Sequence, residues 1–148
     1  MKKFAFYIIF LCLVLSACSS DKSVLAQITQ PAKPSQGKAT TVGQVIDKET
    51  GKPIVGIIVR LAEVYREGEG GVFMLDFANS PGTRTDEKGF FTFIDIQPGE
   101  YVMAIGEGDN FNDYDIIEDS KTGKAKVWEA VIDQISDWGV SQAEILFR

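Results

Sequence analysis

The chain has 148 residues, 45% of them hydrophobic, with 15 Lys and Arg against 21 Asp and Glu, giving a formal charge of −6 and a pI near 4.7. This suits one globular domain around one core, and with no basic cluster beyond Lys2 and Lys3 the charge repels polyphosphate and excludes a nucleic-acid partner. Histidine is absent, which removes the commonest general base at neutral pH, the commonest metal ligand and the usual Ser or Cys triads, so the sequence reads as that of a non-enzyme.

Residues 1–17 read as an export leader. Lys2 and Lys3 form a positive start, and the apolar run from Phe4 to Leu15 is too short to span a bilayer as a mature helix. The ending Leu15, Ser16, Ala17, Cys18 resembles the lipobox of bacterial lipoproteins. That resemblance implies cleavage before Cys18, acylation of its thiol by palmitate-like chains, and anchoring to the cell membrane or outer membrane of a bacterium. Each buried CH₂ of such chains contributes about 0.8 kcal/mol, so two or three chains hold a protein on a membrane durably. Ser19 follows the cysteine where inner-membrane retention signals place an aspartate, which favours the outer membrane if the source has one. Cys12 leaves with the leader and Cys18 is committed to lipid, so no disulfide or cysteine metal site is expected and the domain must rest on its core. Loss of Lys2 and Lys3 takes the charge to −8.

Residues 18–40 are expected to be the lipidated cysteine and a flexible linker. The stretch is poor in aromatics, carries Pro31 and Pro34 and shows no period; as a coil it would reach about 25 Å. The alternative is a short strand around Val24 to Thr29 docked on the domain.

The domain is expected over residues 41–148. Val42 to Asp47 is a strand, Lys48 to Pro53 a turn, and Ile54 to Leu61 a second strand with Val59 and Leu61 on one face. Glu67 to Gly71 reads as a tip before a strand from Val72 to Phe77, with Phe73, Leu75 and Phe77 on one face and Val72, Met74 and Asp76 on the other. Such a hairpin either packs one face on the core or uses its surplus of large apolar groups as a recognition surface. Asp86 to Gly89 is a turn. Phe91 and Phe93 share the face of the next strand opposite Phe90, Thr92 and Ile94; Pro98 and Gly99 then turn the chain into Tyr101, Met103 and Ile105. Thr85 to Met103 is thus expected to be the central hairpin of a β core.

Gly43, Val45 and Asp47, then Thr50 to Pro53, Gly56, Val59 and Leu61, then Thr85, Asp86, Gly89, Phe91 and Phe93, then Pro98, Gly99 and Tyr101 together resemble the carboxypeptidase regulatory-like family. The resemblance covers roughly Val42 to Ile105. It implies an all-β, transthyretin-like (prealbumin-like) Greek-key β-sandwich of about seven strands, used as a non-catalytic accessory or binding module. Nothing here resembles the zinc ligands of the carboxypeptidase catalytic domain. The related collagen-adhesin B-type domains often carry a Lys to Asn isopeptide link between first and last strands. The first strand here lacks lysine and Val140 to Phe147 lacks asparagine, so that link is not carried over.

Gly106 to Asp119 is acidic, and Asp109, Asp113 and Asp115 are candidate calcium ligands. Its spacing is not that of an EF-hand: from Asp109, position 3 is Phe111 and position 6 is Tyr114, so a solvated loop is the simpler reading. A glycosidase pair would need two carboxylates on the walls of a rigid cleft, which a polar loop on a small sandwich does not offer.

Tyr114 to Glu118 and Ala125 to Ala130 read as a hairpin around Asp119 to Lys124, with a short helix near Val131 to Trp138 as an alternative to strand. In the last strand Ala143, Ile145 and Phe147 alternate with Gln142, Glu144 and Leu146. Trp128 and Trp138 are either core or a sugar platform. The expected function is a lipid-anchored surface module that recognises an envelope protein or an extracellular polysaccharide. A structural spacer in an envelope complex and a calcium-stabilised adhesion module are the alternatives.

Overall fold

The computed structural model describes residues 31–68, 70–108 and 110–144. The described residues form a β-sandwich of nine strand segments, with no α-helix among them. In chain order these are β1 (Ala39–Asp47), β2 (Ile58–Glu67), β3 (Gly70–Met74), β4 (Gly82–Arg84), β5 (Phe90–Ile96), β6 (Gly99–Gly106), β7 (Tyr114–Ile116), β8 (Val127–Ala130) and β9 (Ile135–Ala143).

One layer is the three-stranded sheet β5-β1-β9, antiparallel between β1 and β5 and parallel between β1 and β9. The other is built on the antiparallel pair β2 and β6. Each edge of that pair carries an interrupted strand. β3 and β4 follow one another along β2, and β7 and β8 follow one another along β6. Tyr114 to Glu118 and Ala125 to Ala130 therefore do not form an ordinary hairpin; they touch only at the Glu118–Ala125 bridge, with an excursion closed by Lys126 N–H donating to the Ile117 carbonyl at 2.9 Å. No helix occupies Val131 to Trp138: the chain turns at Asp133 and is already strand at Ile135.

Period-two burial delivers the core. Ala39, Val45, Phe91, Phe93, Trp138 and Ala143 from the smaller sheet meet Val59, Leu61, Tyr101, Met103, Ile105, Trp128 and Ala130 from the larger. Phe91 and Phe93 are packed edge to face, 5.9 Å between centroids. Gly43 lies beneath Phe91, where a Cβ would collide with the ring. Each large side chain buried this way contributes about 1.5–3 kcal/mol.

The stretch from Thr85 to Met103 is central, but it is not a hairpin. β5 pairs with β1 and β6 with β2, so residues 96–99 carry the chain from one layer to the other. Tyr101 O–H fastens this corner by donating to the Gln97 carbonyl at 2.8 Å. A bulge just before the corner turns the strand: Phe93 is buried, Ile94 and Asp95 are exposed, Ile96 is buried again, and Asp95 has φ 59°. Thr85 is buried because its hydroxyl accepts the Ile57 N–H and donates to the Ile54 carbonyl, pinning the crossover from β1 to β2.

β1 begins at Ala39, and the residues before it are fastened, so the ordered fold starts earlier than the expected boundary at Thr41. Asp95 accepts hydrogen bonds from the N–H and hydroxyl of Ser35, while Asp133 accepts from Gly37 N–H and donates its own N–H to the Lys38 carbonyl. Both aspartates have positive φ, 59° and 58°. Cys18 and the alternative strand at Val24 to Thr29 lie outside the described residues, as do Ile145 and Phe147. Within β9, Trp138 and Ser141 are both buried although three apart, because a bulge at Gly139 (φ 69°) inserts one residue opposite β1.

Candidate functional site

β2 and β3 form a hairpin whose far half extends past the three-stranded layer. The closing pair is Glu67 and Gly70, and Gly68 takes φ 61°, the positive value that a two-residue turn of twist-matching hand requires. Every residue of β3 is exposed. Tyr65 pairs with Val72 and Glu63 with Met74, so these four share the face that continues the core side of β2; Val64 and Phe73 pair on the opposite face. Exposure reaches 65% at Val72, 61% at Met74 and 48% at Tyr65, against 0% at Leu61 two pairs along the same strand face. The core side of this sheet thus becomes exposed toward the hairpin tip, still carrying Tyr65, Val72 and Met74, with Glu63 as its charged member.

Two exposed polar contacts are made by β2. Arg66 holds Glu100 through two hydrogen bonds, from Nε at 2.6 Å and Nη2 at 2.8 Å, which lowers the Glu100 carboxyl below its ordinary value and raises the guanidinium further. Tyr65 O–H donates to Glu63 at 2.9 Å, and that bond, followed by the carboxylate charge, raises the phenol.

The expected recognition residues separate into three places. Phe73 and Met74 lie on the exposed hairpin. Leu75 and Phe77 do not continue that strand, which ends at Met74; they enter a turn organised by Asp76, whose carboxylate accepts from Asn79 Nδ2 and Ala78 N–H. There Phe77 packs edge to face on Tyr114 at 5.4 Å with the Arg60 guanidinium 5.0 Å above its ring, covering the outer face of the larger sheet. Trp128 and Trp138 are both buried, stacked at 5.9 Å within the core. They form no exposed platform. Trp138 Nε1 donates to the Glu129 carbonyl at 3.0 Å, and Lys126 sits 4.8 Å over Trp128. The residue missed by sequence reasoning is Tyr65, whose alternation with Leu61 was legible but whose exposure depends on the extent of the opposing layer.

Of the candidate calcium ligands, Asp109 lies outside the described residues, and Asp113 and Asp115 are exposed. No group of three or more acidic or cysteine side chains among the described residues converges as an ion would require. Gly106 is needed at the start of this loop because the Asp113 carbonyl passes where its Cβ would stand. A shallow cleft of about 630 Å³ is lined by residues that include Lys48, Ile117, Asp119 and Glu144. Lys48 and Glu144 form an ion pair there at 3.9 Å, exposed at both ends.

No protein-family model matches the chain, and no curated protein does. Several solved structures are similar. One is a DUF3823 family protein from Bacteroides uniformis, 24% identical over 72% of this chain, with TM-score 0.41; the chain spans 42% of that protein's length. Another is a Pseudomonas aeruginosa protein proposed to bind carbohydrate, 12% identical, covering 76% of this chain and 92% of the other, with TM-score 0.45. A third is the pilus adhesin of Streptococcus pneumoniae, 16% identical over 66% of this chain and 11% of that one, with TM-score 0.39.

Proposed function

We propose that this chain is a non-catalytic module of a bacterial cell envelope, exported, held to a membrane through lipid on Cys18, and built to contact another envelope protein through the β2–β3 hairpin. The observation that carries the reading is the exposed face of Tyr65, Val72 and Met74, with Phe73 on the reverse: large apolar groups on an exposed hairpin are the surface expected of a protein contact. The burial of Trp128 and Trp138 favours a protein partner over a polysaccharide, because no described tryptophan is left to stack on a sugar ring. The lipobox-like ending at Cys18 supports the anchor, and the motif from Gly43 to Tyr101 supports a carboxypeptidase regulatory-like domain.

The test uses a photo-crosslinking residue at Phe73 in cells of the source organism. A discrete adduct that disappears with Met74→Ala supports the contact; absence of any adduct makes the domain a spacer. Palmitate labelling that is lost in Cys18→Ser checks the anchor, and its persistence would refute lipidation at that residue.

A further inference from the structure

We propose that the contact at this hairpin is made with a second copy of the chain, by antiparallel pairing of β3 with β3 about a two-fold axis through Val72; this rests on the reading of the hairpin as a contact surface. The outer edge of β3 pairs with no strand among the described residues, since β2 occupies its other side. Natural edge strands are normally blunted by lysine, proline or inward charge. β3, Gly70-Gly71-Val72-Phe73-Met74, carries none of these in a chain of net charge −6.

The sequence of β3 is complementary to its own reverse. With Val72 on the axis, Gly71 faces the second copy's Phe73 and Gly70 faces the second copy's Met74, so each large side chain meets a position with none. The backbone phase agrees. A two-residue turn makes Glu67 and Gly70 a hydrogen-bonded pair, so by alternation Val72 also bonds inward to Tyr65, and the N–H and C=O groups of Gly71 and Phe73 point away from β2. Those are the groups that Gly71 and Phe73 of two copies would exchange across the axis. The charge pattern agrees too. The Arg66 side chain passes over Gly71, 3.4 Å from where a Cβ would stand, and Glu100 holds it there. The second copy's Phe73 ring would settle against that guanidinium, a favourable cation–ring contact. Pairing of this kind joins the two larger sheets into one continuous sheet and sets the two Val72 side chains in contact, side by side on one face.

The experiment uses the full chain in its membrane. Val72 lies on the axis as a non-hydrogen-bonded pair, with Cα atoms about 4.5 Å apart, so Val72→Cys should oxidise to a covalent dimer, while the unsubstituted chain and Phe73→Cys should not, the latter because its Cα atoms would stand beyond the reach of a disulfide. Two differently tagged copies should co-purify. They should cease to do so when both carry Val72→Lys or both carry Val72→Glu, and should do so again when one carries each. Recovery in the mixed pair shows that the single substitutions left the fold intact. No Val72→Cys dimer, or co-purification indifferent to Val72→Lys, overturns the proposal. If the Phe73 photo-adduct to another protein persists in that case, the contact surface stands and only the second copy is refuted; if both are lost, both readings fall.

Discussion

The Asp95 carboxylate accepts the Ser35 backbone N–H at 2.6 Å and the Ser35 hydroxyl at 2.8 Å, across 60 residues of chain. Together with the bonds between Asp133 and residues 37 and 38, this fastens residues 35–38 to the sandwich. Asp95→Ala should accelerate amide exchange at Ser35 and Lys38 while leaving β1 from Thr41 protected. Hydrogen exchange followed by mass spectrometry checks this, and unchanged exchange at Ser35 would refute the clamp.

The same bonds set a pH dependence. The Ser35 N–H, then its hydroxyl, hold the Asp95 carboxyl below the ordinary aspartate value; Thr50 does the same for Asp47, first through its hydroxyl, and the Thr122 N–H leads the causes at Asp119. A carboxyl depressed in the folded state contributes stability that is complete above its unfolded value of about 3.9 and is lost as pH falls through the lower folded value. With no histidine in the chain, melting temperature should be nearly flat from about pH 5 to 8 and fall steeply below about pH 4. A transition near pH 6.5 in a thermal-melt series would contradict this.

Gly43→Ala should cost about 1–3 kcal/mol, because its methyl must share space with the Phe91 ring. In a Phe91→Leu background the same substitution should cost much less. Denaturant titration of the four proteins measures this coupling, and additive costs would show that the collision is relieved elsewhere.

These contacts mark what the sequence could and could not reveal. Phe91, Phe93, Val59 and Leu61 were legible as core because period-two alternation is local. The separation of β5 from β6 into different layers was not, since a Pro-Gly corner looks the same whether the strands that flank it pair or part. Asp95 and Asp133 gave no warning either: positive φ in an aspartate, and a bulge, become visible only when the opposing register is known. At the hairpin, Phe73 and Met74 were legible as surplus apolar groups. Leu75 and Phe77 were misassigned to the same strand because the Asp76 turn that ends it interrupts an otherwise unbroken pattern.

The two tryptophans should respond unequally. Trp138→Phe leaves the Glu129 carbonyl without its donor and should cost about 1–3 kcal/mol more than the lost ring area alone. Trp128 Nε1 has no hydrogen-bond partner among the described residues, so Trp128→Phe should be the milder change. Equilibrium unfolding decides the order.

Peroxide should oxidise Met74, which is 61% exposed, well before Met103, which is fully buried; slow oxidation of Met74 in the free chain would show the hairpin already covered. Calcium added to a chelated sample should leave the melting temperature unchanged, and a rise of several degrees would support Asp113 and Asp115 as ligands.

The parallel pairing of β1 with β9 has a mechanical consequence. Ala39 and Ala143 stand at opposite ends of two strands that run side by side in the same direction, with register contacts from Thr40–Ile135 to Asp47–Ala143. Tension applied between those two points would load the ladder lengthwise, so its hydrogen bonds would have to fail together instead of opening one after another like a zipper. A pull between these two ends would therefore meet the sandwich in shear, the direction in which a ladder resists most.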